Sequence, residues 1–329
     1  MAYLFLLPIV ICFAIGLLWL FRNPPYERID KTVVRASDPA IKKEIPAFNL
    51  SFWADRVAYS EPVYFPDGVE TVDFTEHMEA INLEIPDWDS EGLYEVKAST
   101  KAGTLDPAFL VYKWHSNTSN TLIFHHGASE HPFYGIFSNI FKKEKLNDLE
   151  VNLIAIRTPF HKQKGALKQG TTTLSTFMAT MATSVKLTEM LIRTLRQKGA
   201  QIVEIGGFSL GAVIANRHRV TYNSADFYVP IVGTLAHEKF FIFPKKNTTE
   251  NEIQRNKIIT QHLNFSAQWQ KNQSPNAFPV MARYDAFLPL HEHAPAYGNL
   301  EVEIWNTGHL STAVFYNAMR HVLLKRLKK

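Results

Sequence analysis

The sequence predicts an α/β fold with a mainly parallel sheet and helices on both faces. Three observations predict it. Short, continuously apolar runs recur from about residue 92 onward, as at 120–127 and 151–156; strands buried on both faces read this way. Longer stretches place apolar residues at steps of three and four, the spacing of one helix face. The two kinds alternate along the chain, the order expected of parallel strands joined by helices.

The elements can be taken in order. Residues 2–21 carry no charged side chain and one proline, Pro8. At 1.5 Å per residue a helix of about twenty residues spans the hydrocarbon core. Tyr3 and Trp19 sit near its ends, and Arg22-Asn23-Pro24-Pro25 stops it. With no basic residue before it and no small-x-small site after it, the segment reads as an uncleaved anchor over 1–22. Basic residues after the anchor (Arg22, Arg28, Lys31, Arg35, Lys42, Lys43) predict a single-pass membrane protein with its C-terminal domain in the cytoplasm. Sequons headed by Asn49, Asn117, Asn247, Asn264 and Asn272 point to the opposite side, and the basic flank decides. Residues 23–91, broken by Pro39, Pro46, Pro62, Pro66 and Pro86, read as a stalk and N-terminal extension packed on the domain.

The domain itself spans 92–329. Strands are expected at 93–97, 109–114, 120–127, 151–156, 202–205, 227–232, 279–283 and 302–305. A long helix is expected over 173–195, with Leu174, Phe177, Met178, Met181, Val185, Thr188, Ile192 and Leu195 on one face and Lys198-Gly199 closing it. A second helix follows at 210–222, and a basic amphipathic helix at 312–327 ends the chain. Its last ten residues hold Arg320, Lys325, Arg326, Lys328 and Lys329, so the remainder of a chain of net charge +4 is close to neutral. Such a balance gives no footprint for nucleic acid. The lone cysteine, Cys12, rules out a disulfide scaffold or a cysteine zinc site.

Chemistry enters at Gly207-Phe208-Ser209-Leu210-Gly211, a G-x-S-x-G between an apolar strand and a helix. Small residues at 207 and 211 let strand and helix pack closely, so that Ser209 stands clear at a sharp turn. A serine hydroxyl needs a base to act as a nucleophile. His309, in Asn306-Thr307-Gly308-His309 after the last strand, is the candidate, with His291 and His293 as alternatives. Asp285, after the strand at 279–283, is the candidate to orient it; Glu238 and Asp226 are alternatives, although Asp226 enters its strand from the wrong end. Ser209 could also serve as an ordinary helix N-cap. His125, His126 and His131 cluster locally, as do His291 and His293. No metalloenzyme spacing accompanies them, and no nucleotide-binding glycine motif exists, so neither metal nor cofactor is expected.

The elbow, Phe124-His125-His126-Gly127 after a strand, Asp285-x-x-x-Pro289 and the terminal Gly308-His309 together resemble the α/β-hydrolase superfamily over about 92–329. Arg283-Tyr284 before the acid departs from the glycine-bearing pattern of many members. The resemblance implies an oxyanion hole built from the backbone N–H groups of Ala128 and Leu210, with His126 and Gly127 supporting the loop. It also implies that the aromatic-rich insertion at 237–275, with Phe240, Phe241, Phe243, Phe265 and Trp269, caps the site, the alternative being one ordinary helix with an extended loop. The expected function is a membrane-anchored serine hydrolase of a carboxylic ester or thioester, with an apolar or lipidic acyl group. A small-molecule or lipid ester is the expected partner. A peptidase or acyltransferase could use the same residues, and a non-catalytic tethered binding domain is the rival reading.

Overall fold

The computed structural model describes residues 23–43, 49–58, 64–162, 167–242, 248–271 and 274–328. The expected anchor at 1–22 lies outside them. Among the described residues no helix is long and apolar enough to cross a membrane.

Nine strands among the described residues form one sheet: β1 (Lys31–Arg35), β2 (Gly92–Glu95), β3 (Ala108–Lys113), β4 (Thr121–His125), β5 (Asn152–Arg157), β6 (Val203–Phe208), β7 (Phe227–Ile231), β8 (Val280–Ala282) and β9 (Glu301–Trp305). Their order across the sheet is β1-β9-β8-β7-β6-β4-β5-β3-β2. The run from β9 to β5 is parallel throughout, and antiparallel pairings occur only at the two margins. The central strands β4, β5 and β6 are buried along their whole length. Alternate side chains go to opposite faces, as the pleat requires. Ile123 joins one core while Leu122 and Phe124 join the other.

Helices cover both faces. The long helix expected from periodicity is present as Leu174–Lys198, and every residue of its predicted stripe is buried. Thr173 caps it by accepting from Thr176 N–H, and Gly199 ends it in the left-handed conformation at φ 104°. For reference, α1 is Leu50–Ala58, α2 is Ile136–Ile140, α3 is Leu174–Lys198 and α4 is Leu210–Thr221. Helices α5 (Glu250–Leu263) and α6 (Ser266–Lys271) lie in the 237–275 insertion, and α7 (His309–Thr312) and α8 (Tyr316–Leu324) follow β9. Helices α3 and α4 pack on the face that buries Ile123, and α2 and α8 on the face that buries Phe124.

Two features differ from the sequence reading. The helix expected at 312–327 is present as the shorter α8, Tyr316–Leu324, after a separate one-turn helix, α7, that shares only Thr312 with that range; between them Phe315 lies toward Trp305. The stretch read as a stalk supplies β1, antiparallel to β9 at the sheet margin. Its residues are mostly exposed, so it has no apolar alternation to betray it. The terminal cations are partly built in: Arg320 donates to Ile140 O and Lys145 O, and Arg326 lies over Phe278 at 3.7 Å.

The extension and the insertion meet on one buried cation. Arg217 of α4 lies between the ring of Phe74, at 4.1 Å, and that of Phe265, at 4.7 Å, and donates to Gln268 Oε1 at 2.9 Å. A planar guanidinium can stack between two rings while its edge hydrogen-bonds; an ammonium cannot do both. Arg217→Lys is therefore expected to lower unfolding stability by about 1–2 kcal/mol, read by denaturant titration. Unchanged stability would contradict this role.

Candidate active site

At the C-terminal end of β6 the chain reverses at Ser209, whose backbone sits at φ 54°, ψ −114°. That region is sterically costly for a residue with a Cβ, so surrounding packing must hold it. Ser209 N–H donates to Ile231 O at 2.9 Å on the neighbouring strand. The two flanking glycines allow the closeness. A Cβ on Gly207 would lie 2.3 Å from the Gly211 backbone, and one on Gly211 would lie 2.1 Å from His125 O.

His309 Nε2 is 2.9 Å from Ser209 Oγ, and His309 Nδ1 is 2.7 Å from Asp285 Oδ2. The carboxylate is itself fixed, because its Oδ1 accepts from Phe287 N–H and Leu288 N–H, each at 2.8 Å. An acceptor at Nδ1 places the ring proton there and leaves the Nε2 lone pair facing the serine hydroxyl. Burial by itself would depress the imidazole pKa. The Asp285 charge and hydrogen bond, followed by Asp55 and Glu130, overcome it and leave the ring above its ordinary 6.5.

The loop after β4 is also fixed. His126 Nε2 accepts from Thr158 N–H at 3.2 Å, so its Nδ1 donates to Gly127 O at 2.7 Å. Burial holds this ring well below the ordinary histidine range and keeps it neutral. Gly127 N–H donates to Glu130 Oε1 at 3.1 Å, and Ile136 N–H donates to Glu130 Oε2 at 3.2 Å. Ala128 O lies 2.9 Å from His161 Nε2. Leu210 is the first residue of α4, where backbone N–H groups have no partner within the helix.

No protein-family profile matches the sequence, and no curated protein matches it significantly. Solved structures do match. One is a cold-adapted esterase from an Arctic intertidal metagenomic library, 11% identical, with a TM-score of 0.50 over 74% of this chain and 98% of that one. Another is Est1E from Butyrivibrio proteoclasticus, 12% identical, with a TM-score of 0.50 over 69% and 96%. The fold is that of the α/β-hydrolases.

Within this α/β-hydrolase fold the alternative residues take other places. Asp226 accepts from Val203 N–H at 2.7 Å and pairs with Arg196 at 2.5 Å, at the opposite end of its strand from the elbow. Glu238 accepts from Asn264 Nδ2 at 2.8 Å. His125 contacts Thr188 Oγ1 and His293 contacts Thr234 Oγ1, both buried. His131 takes N–H bonds from Phe133 and Tyr134. Among the described residues no group of three His, Cys, Asp or Glu side chains could hold a metal.

Two carboxylates beside the site escape motif reading. Glu130 is one; burial first, against its backbone hydrogen bonds, pushes it up to about 7. Asp55 of α1 is the other. It is fully buried and accepts from the backbone N–H groups of His309, Leu310 and Ala286. No spacing links residue 55 to residue 309, so only the fold reveals it. The Phe287 ring lies 4.9 Å from the His309 ring, Phe240 stacks on Phe287 at 6.5 Å, and Tyr64 meets Phe240 at 5.7 Å. Of the insertion's other aromatics, Phe265 and Trp269 are buried against Arg217 and Arg219, while Phe243 lies outside the described residues.

Gly211→Ala tests the packing under the elbow. Its Cβ would meet backbone, which cannot swing aside, so a loss of at least about 3 kcal/mol in unfolding stability is expected by denaturant titration. A variant as stable as the parent would show that strand and helix are not held this closely.

Proposed function

We propose that the chain is a serine hydrolase that cleaves a carboxylic ester or thioester through an acyl-enzyme. The observation that carries this reading is the continuous hydrogen-bonded path from Ser209 Oγ through His309 to Asp285, on an elbow with positive φ. A serine that only capped a helix would need neither the strained backbone nor a buried imidazole aimed at it.

In this reading Ser209 Oγ attacks the carbonyl carbon as His309 Nε2 takes its proton. Asp285 keeps the other ring nitrogen protonated and stabilises the imidazolium. The backbone N–H groups of Leu210 and Ala128 bind the tetrahedral oxyanion; one such donor typically contributes ~3 kcal/mol. The bound ring proton then passes to the leaving alkoxide or thiolate. Water, deprotonated by His309, attacks the acyl-enzyme and releases the acid with Ser209 restored.

Phe287, Phe240 and Tyr64 beside His309 support an apolar acyl or alcohol group. Phe240 comes from the insertion at 237–275, in keeping with a cap that bears on substrate choice. The apolar run at 1–22, read as a single-pass anchor, supports a substrate met at a membrane, with the catalytic domain on the cytoplasmic side.

A fluorophosphonate probe on the full chain tests the reading. Wild type is expected to label and Ser209→Ala to lose labelling; labelling that survives in the variant, or a folded wild type that stays unlabelled, would overturn it in favour of a binding domain. On p-nitrophenyl esters, kcat/KM should rise with pH through a midpoint above 6.5. The sign follows because only neutral His309 accepts a proton and its pKa is raised.

A further inference from the structure

Three segments meet at one buried carboxylate: α1, the acid loop after β8 and the base loop after β9. Asp55 Oδ2 accepts from His309 N–H at 2.7 Å and from Ala286 N–H at 3.3 Å, and Oδ1 accepts from Leu310 N–H at 2.9 Å. Residue 309 is the candidate base, and residue 286 follows the candidate acid. The base loop lies flat on α1. A Cβ on Gly308 would sit 2.8 Å from Asp55 Oδ2 and 2.9 Å from Ser51 O, so only glycine admits this approach.

We infer that Asp55 is a positioning residue of the same site, tying the acid and base loops to the N-terminal extension so that His309 stays in line with Ser209. The inference rests on the serine hydrolase reading for its kinetic consequence, although not for its geometry. Charge adds to position. Asp55 faces Asp285 and His309, and the imidazole is faced by Asp285, Asp55 and Glu130. Burial, then the Asp285 charge, raises Asp55 to about 6, so it is ionised at neutral pH. There it opposes loss of the ring proton, as Asp285 does. An asparagine could keep some of the N–H bonds but not this charge. The helix that carries Asp55 belongs to residues 23–91, so the extension supplies part of the catalytic arrangement.

The test uses the full chain with Asp55→Asn and Gly308→Ala. The second variant displaces the clamp from outside while leaving the carboxylate in place. In each, kcat should fall by about 10- to 100-fold with KM within about twofold, because alignment rather than binding is disturbed. In Asp55→Asn the imidazole titration of His309, followed by NMR, should move to lower pH, and the acid limb of the rate profile with it. A folded Asp55→Asn variant with wild-type kcat, or with an unmoved His309 titration, would overturn the inference. Should that variant not fold, wild-type kcat in Gly308→Ala overturns it and a selective loss of kcat supports it. If wild type neither labels nor turns over ester, the hydrolase reading fails, and the His309 titration still decides the role of Asp55.

Discussion

Ser209 occupies a backbone conformation at φ 54° that costs energy in any isolated chain, and the neighbouring structure must hold it there. What holds it is contact too close for side chains. Strand β6 and helix α4 approach through Gly207 and Gly211, and Gly211 rests on the carbonyl of His125. Because β4 and β6 are adjacent and parallel, that contact sets the His126-Gly127-Ala128 loop beside the elbow. The same parallel order brings the ends of β8 and β9, and with them Asp285 and His309, to one edge of the sheet. Open α/β sheets present their chemistry at this edge because every strand there hands over to a loop together.

The electrostatics follow from burial. A histidine this buried would ordinarily resist protonation, yet a general base must carry a proton in mid-reaction. Here the ring lies among Asp285, Asp55 and Glu130, and the first of these touches it. Burial first, and then repulsion from Asp285, raises Asp55 above its ordinary value. That repulsion is relieved when the imidazolium forms. In the proposed reaction this arrangement would favour the imidazolium over the state that precedes it, the general route by which preorganised sites lower barriers.

Much of this was legible in the sequence because it is local or periodic. Ser209 is marked by its own pentapeptide. Asp285 follows the short buried strand β8, His309 follows β9 with its apolar Val302, Ile304 and Trp305, and the helix at 174–198 is set by its stripe. What was not legible depends on contacts distant in sequence. Strand β1 is an exposed margin that takes its conformation from β9, so its residues carry no pattern of their own. Asp55 lies in a short helix, and its partner is a backbone amide 254 positions away. The late start of α8, at Tyr316 rather than Thr312, accompanies the contact of Phe315 with Trp305, which helical periodicity does not show. Asp226 precedes β7 and lies away from the elbow, as its place before a strand already indicates, whereas Glu238 and Asp285 follow the parallel strands β7 and β8 and are separated only by distant contacts, Glu238 with Asn264 and Asp285 with His309.

The central claim is that Ser209 carries the acyl group between two chemical steps. Pre-steady-state hydrolysis of a p-nitrophenyl ester, followed by acid quench and peptide mass spectrometry, tests it most directly. The account predicts a burst of p-nitrophenolate approaching one equivalent per chain when deacylation is the slower step, and an acyl group on the peptide containing Ser209. Steady turnover with no acylated Ser209 peptide at any quench time would contradict it.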